Sequence, residues 1–316
     1  MKIRHGQAVG LMLLVTFLWS TAGVVTRQLE QAQAFEITFW RSFFTLLSLL
    51  VILPVWQGRG IWQRIRQEGW VLWASGACWA VMFTAFMVGL ALTSVANVLI
   101  TLAAGPLITA LVSSLFFGQR LARRTWIAIL VAGLGIAWMF GRQLGEGNLL
   151  GSLVALGAPI GGAINWNLVQ RSQQAGRHVD LVPAVLIGAF LSSLVTLPLA
   201  WPMQASVHDV TLLAGLGLGQ LAVPCVLAVI CARSLTPPEM SLLALLEVLF
   251  GIALAWVGAN EVPQPYVLQG GVLVLGALVT NEWLGWRERE GHYRIQTLEV
   301  EDTGDKNELE HTGRHG

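Results

Sequence analysis

Ten stretches of about twenty apolar residues, separated by gaps whose Lys and Arg fall almost wholly in alternate positions, constrain this chain more than any other feature. A helix rising about 1.5 Å per residue needs roughly twenty residues to cross a hydrocarbon core of about 30 Å. The stretches run near 8–26, 35–55, 69–89, 93–116, 125–141, 149–170, 181–201, 211–232, 239–258 and 266–285. Water is absent from the bilayer core, so each must satisfy its own backbone N–H and C=O groups, and each is predicted to be a helix. Only 12% of the residues are charged and 55% are hydrophobic, too little polar side chain to coat a soluble globule of this length.

The gaps set the orientation. Lys2, Arg4, Arg59, Arg64, Arg66, Arg120, Arg123, Arg124, Arg171, Arg177, Arg233, Arg287 and Arg289 flank the spans on one side, against Arg27 and Arg142 on the other. Basic residues near the spans favour the cytoplasm, which predicts both termini inside. Trp56, Trp70, Trp73, Trp126, Trp283 and Trp286 fall near inner ends, and Trp40, Trp201 and Trp256 near outer ends, as an aromatic belt requires. Lys2 and Arg4 ahead of an apolar run also admit a signal peptide. The run is longer than a usual signal core, however, and its removal would break the even span count.

Several function classes are disfavoured. No basic run lies away from the membrane-proximal gaps, which argues against nucleic acid as a partner. Cys78, Cys225 and Cys231 lie at membrane depth without metal-ligand spacing and read as small packing residues. All six histidines and the aspartates Asp180, Asp209, Asp302 and Asp305 fall outside the spans, which disfavours intramembrane metal chemistry and aspartyl proteolysis. No P-loop occurs, and neither a cofactor nor a metal is expected. Rings of like charge or repeated filter loops, which a channel needs, are missing too. The tail 287–316 is rich in Glu, Gly and His and is expected to be disordered.

The chain also repeats itself. A shift of 142 residues lays Ser94 on Thr236, Pro106 on Val248 and Gln119 on Glu261, and Gly10 precedes Gly151 by 141 residues. Two halves follow, 1–147 and 148–286. Five helices in each, an odd number, force opposite orientations in the membrane. Inverted repeats of this kind are typical of secondary transporters, which hold substrate near midplane between the halves. The fold class read from the chain is therefore an all-α polytopic membrane protein, with ten transmembrane helices in two inverted five-helix repeats.

From Gly6 to Trp286 the chain resembles the EamA-type members of the drug/metabolite transporter superfamily. The resemblance rests on Arg41 early in span two, the run Ala96 to Pro106, the Ser241 to Glu247 start of span nine, and the turns Gly118-Gln119-Arg120 and Ala259-Asn260-Glu261. Two departures stand out: Gln119 where such proteins usually carry Glu, and Val248 where Pro often follows the span-nine Glu. Loss of that Pro is expected to remove a kink beside Glu247. The resemblance implies a multi-pass protein of the bacterial inner membrane, with helices five and ten peripheral. It also implies efflux or uptake of amino acids, nucleosides, sugars, phosphorylated metabolites or drugs, by exchange or on a proton gradient. Its partners would be a small-molecule substrate, the lipid bilayer and protons, with a second copy of the chain as a further candidate. A non-transporting membrane scaffold or an intramembrane enzyme stays open as the alternative.

Polar residues at membrane depth mark the candidate pathway. Glu247 is the one acid near the middle of a span, where a charge costs on the order of 3 kcal/mol unless it faces the bundle interior. It is read as a proton carrier or as a structural hydrogen-bonding group. Arg41 either binds a substrate carboxylate, pairs with Glu247, or lets its long stem reach the interface. Asn97 and Thr101 share one face of span four, beside Pro106, which frees a carbonyl near midplane. Asn165 on span six and Gln220 on span eight, just before Pro224, are further candidates, each with a packing alternative. Trp19 and Trp79 lie away from the inner belt and are read as cavity walls or packing. The pairs Gly157/Gly161 and Gly215/Gly219 have the small-xxx-small spacing of tight helix contacts.

Overall fold

The structure, a computed structural model, describes residues 4–58, 60–118, 120–143, 149–174, 182–231, 234–235, 243–285 and 287. The 288–316 tail and Gln119 therefore lie outside the described residues. Among those described there is no strand, and all regular structure is helical.

Up to residue 143 the chain forms α1 (His5–Thr26), α2 (Ala34–Gln57), the short α3 (Ile61–Gln67), α4 (Trp70–Leu92), α5 (Val95–Ala103), α6 (Gly105–Phe117) and α7 (Arg123–Gln143). From residue 149 onward follow α8 (Leu149–Ala155), α9 (Gly157–Gln174), α10 (Val182–Thr196), α11 (Val207–Gly215), α12 (Val223–Cys231), α13 (Leu246–Ala259) and α14 (Pro265–Gly285). A π-helical stretch, Leu216–Ala222, joins α11 to α12. Among the described residues, seven helical stretches are long and apolar enough to cross a membrane. The bent pair α5–α6 makes an eighth, and α10 and α13 are shorter apolar helices. This is a multi-pass membrane protein.

Two breaks carry meaning. Between α5 and α6 the axis bends by 41° at Ala104. Pro106 lies in the first turn of the new helix, where its missing N–H is one of the groups a helix start leaves unbonded anyway. It opens α6 rather than notching a continuous span. The second break is at Leu245, directly before α13. The absent Pro at Val248 was expected to spare this helix a kink, but the path is interrupted nonetheless, and Val248 donates its N–H to the Leu245 carbonyl at 3.1 Å. Under the 142-residue shift Ala104 falls on Leu246, one residue past the second break.

Most of the packing joins helices before residue 144 to helices after residue 148. Helix α4 lies against α8, α9 and α10; α1 against α12 and α13; α2 against α10 and the π stretch; α5 against α13; and α6 against α9. Gly157 and Gly161 do sit at a close contact, on Ala85 and on Met82 and Cys78 of α4. Gly215 and Gly219 do not: nothing lies near either, and Gly217 makes the approach instead. A Cβ there would stand 2.8 Å from the Arg41 carbonyl and from the Thr45 N. The π stretch bonds each N–H to the carbonyl five residues back instead of four, which rotates the helix face away from four-residue spacing. Helices α7 and α14 are the least buried long ones, 28% against 39–50% for the others.

Candidate functional site

Arg41 is the centre of the interior polar cluster. It is 2% exposed, so the reading in which its stem reaches the membrane surface is overturned. Its Nε donates to Gln220 Oε1 at 3.1 Å, and Gln220 Nε2 donates to the Trp19 carbonyl at 3.2 Å. This chain ties α2, the π stretch and α1 together. The guanidinium lies 5.7 Å from the ring centres of both Phe83 and Phe86 on α4, a cation–π arrangement that partly replaces lost hydration. Its Nη1 is buried without a hydrogen-bond partner. A buried guanidinium N–H left unpaired is costly, and it is available to an incoming acceptor.

Glu247 sits in the first turn of α13, where the unbonded N–H groups and the helix dipole favour an anion. The break at Leu245 creates that helix end, so the carboxylate stands at the start of a half-helix and not midway along a continuous one. Arg41 and Glu247 interact electrostatically without a direct ion pair. Gly251, one turn on, meets Leu99 of α5 and Ser20 of α1, which brings α13 close to both.

The structure gathers Arg41, Gln220, Trp19 and Glu247 into one region. Trp79 borders it through Phe83, with ring centres 5.4 Å apart, and its Nε1 is buried without a partner. The other candidates lie in helix contacts. Asn97 Nδ2 donates to Thr93 and Ser152, both at 3.1 Å, joining α5 to α8. Asn165 Oδ1 accepts from Ser75 at 2.6 Å, joining α9 to α4. Thr101 is fully buried and its hydroxyl has no partner.

Sequence reasoning passed over several residues. Phe83 and Phe86 follow Trp79 at four and seven residues, one face of a helix, and that spacing was the available signal. Trp40, assigned above to the outer belt, stacks on Phe44 with ring centres 5.8 Å apart and buries its Nε1. Arg27 served only as a topology marker. In the structure its Nε donates to Glu261 Oε2 at 2.5 Å, and Nη1 and Nη2 donate to the Leu90 and Thr93 carbonyls at 2.6 Å. Glu261 Oε1 accepts the Val95 N–H at 2.6 Å. A cation thus stands at the C-terminus of α4 and an anion at the N-terminus of α5, both complementing helix dipoles. At the same end Asp209 accepts the N–H groups of Glu30, Gln31, Ala32 and Ser206, and Glu36 those of Gln204 and Ala205.

Residues 6–141 match the EamA-like transporter family. An uncharacterised transporter of Pseudomonas aeruginosa is 28% identical over 146 residues, 44% of this chain and 48% of the relative, so the chain spans about half that protein's length. A crystallographically solved chain, 17% identical, aligns over 90% of this chain and 99% of its own with a TM-score of 0.60, a likeness of fold. The likeness to the EamA-like transporter family thus covers residues 6–141.

Proposed function

We propose that the protein is a secondary transporter of the bacterial inner membrane that exports a small metabolite, by exchange or coupled to protons. Its ten helical stretches would cross as two inverted halves, 1–147 and 148–286, with both termini in the cytoplasm. Exchange of span one for six, two for seven, three for eight and four for nine turns the observed helix contacts largely into one another. The α1–α13 contact maps onto α9–α6, and α4–α10 onto the π stretch against α2. Interrupted helices at corresponding places in two halves are a physical pointer to a transporter's binding site. That supports a site at Arg41 and Glu247, the latter beside the second break.

The observation that carries this reading is the buried Arg41 guanidinium, with one nitrogen unpartnered, set near the Glu247 carboxylate. Such an arrangement suits a solute with an anionic group for Arg41 and a cationic or hydrogen-bonding group for Glu247. Amino-acid-like compounds have that chemistry. Phe83, Phe86, Trp79 and Trp19 would take an apolar or aromatic portion. Gln220 would hold Arg41 in place, and Asn97, Thr101 and Asn165 would support the helix contacts around the pathway. The Arg27–Glu261 pair and the Asp209 and Glu36 clamps would close the outer end.

Counterflow in proteoliposomes tests the proposal. Vesicles loaded with a mixture of unlabelled amino acids should accumulate labelled ones, and Arg41→Gln should lower the rate at least tenfold at equal protein density. Absence of exchange for every amino acid, nucleoside and drug-like probe would favour the scaffold alternative.

A further inference from the structure

The peripheral helices α7 and α14 enclose a groove of about 320 Å³ well away from Arg41. At one limit the backbones touch: a Cβ on Gly135 would come within 2.8 Å of the Gly270 carbonyl, and one on Gly270 within 2.7 Å of the Gly135 carbonyl. At the other limit Thr125 Oγ1 donates to Asn281 Oδ1 at 3.0 Å. Between these contacts the facing residues are small, Ala128, Gly276 and Ala277, and the helices leave a slot walled by Ile127, Val272 and Leu273. Arg124 lines the end nearest Asn281. Arg120, Arg123 and Arg287 are exposed around that end, with Glu282 the one described acid nearby in sequence, so cations dominate it. Trp126 and Trp283, 39% and 51% exposed, flank the same level, where interfacial aromatics sit.

We propose that this groove is a binding site for an anionic phospholipid, whose acyl chain lies in the apolar slot and whose phosphate meets Arg124. Three observations argue for a lipid over other occupants. The slot is apolar along its length, charged at one end only, and set between two of the least buried of the described long apolar helices. The cationic end coincides with the face that the basic gaps assign to the cytoplasm, where anionic lipids attract basic side chains. The site stands apart from the proposed transport pathway and does not depend on it.

Native mass spectrometry of the full chain tests this. The protein is released from mixed micelles containing equal amounts of phosphatidylglycerol and phosphatidylcholine with matched acyl chains. Wild type should retain phosphatidylglycerol over phosphatidylcholine by on the order of fivefold, the preference expected of one basic side chain at an anionic surface. Arg124→Gln should bring the ratio near parity, whereas Arg66→Gln, on α3 and away from the groove, should leave it unchanged. Gly276→Phe fills the slot from a position with open space beside it and should abolish retention of both lipids in folded protein. A wild-type ratio near one would overturn the proposal, as would equal loss in the Arg66 and Arg124 variants. Retention undiminished by Gly276→Phe would do the same. So would a shift of wild-type dimer to monomer in Gly276→Phe without any lipid preference, which would assign the groove to a second copy of the chain.

Discussion

At the scale of single residues, the cluster around Arg41 holds together through partners that each satisfy only part of a buried charge. Gln220 accepts a hydrogen bond from the guanidinium, and it also reaches the Trp19 carbonyl. Gln220→Leu keeps the volume but removes both bonds, leaving Arg41 with a second unbonded nitrogen. A loss of about 2 kcal/mol is expected, the usual scale for a hydrogen bond to a charged group, read as a lower unfolding temperature in detergent. Unchanged unfolding would mean that Arg41 finds another acceptor. Glu247→Gln preserves shape while removing the charge, so folding should survive. If Glu247 carries the protons, uptake driven by a pH gradient should fall at least tenfold, while substrate-for-substrate exchange persists. Equal gradient-driven rates in wild type and variant would dismiss the proton role and leave Arg41 as the charge that matters.

Among elements, the π stretch Leu216–Ala222 does work that an α-helix could not. It turns Gly217 onto α2 and Gln220 towards Arg41 from one short segment. Gly217→Ala would drive a methyl into the Arg41 carbonyl and the Thr45 N, which are backbone atoms and cannot rotate away. Destabilisation of about 1–3 kcal/mol is expected, together with reduced yield of folded protein in membranes. Gly219→Ala, which meets nothing, is the matched control and should behave as wild type. Equal tolerance of the two substitutions would argue against the π register. The breaks at Ala104 and Leu245 belong to the same scale, because each makes a helix end at depth and thereby exposes N–H groups that a continuous helix would have consumed.

For the whole molecule, the arrangement of charge across the bilayer is the testable quantity. Reporter fusions after Gly316 and in the gap 142–148 should report opposite sides of the membrane, with the C-terminus cytoplasmic. The same side for both would sink the inverted-repeat reading. At the Arg27 end, single ion pairs and capped helix termini join α1, α4, α5 and the turn after α13. Glu261→Gln should weaken this closure, since it leaves Arg27 part-buried without its counter-charge. The expected result is faster labelling of a cysteine introduced at Ser20 by a membrane-impermeant thiol reagent added outside. Labelling no faster than in the wild-type background would show that the pair does not gate access.

The sequence by itself determined the helical, membrane-embedded nature of the chain, because an apolar stretch about twenty residues long has no other stable form in lipid. It determined the family resemblance, and it marked Arg41, Gln220, Trp19 and Glu247 because polar atoms are rare at membrane depth. Partners lay beyond its reach. Whether Arg41 extended to the interface or turned inward depended on α2 packing against the π stretch, and the sequence carries no local signal for a π turn. Asn97 and Asn165 looked equivalent to Gln220, but only the packing of α5 on α8 and α9 on α4 gave them neighbouring hydroxyls to bond. The break before Glu247 formed without the proline that would have announced it, and the aromatic faces of Phe83 and Phe86 were indistinguishable from core until α4 brought them to Arg41. Periodicity and hydropathy are properties of one segment, whereas a site is a property of several segments meeting, and that meeting is decided by tertiary packing alone.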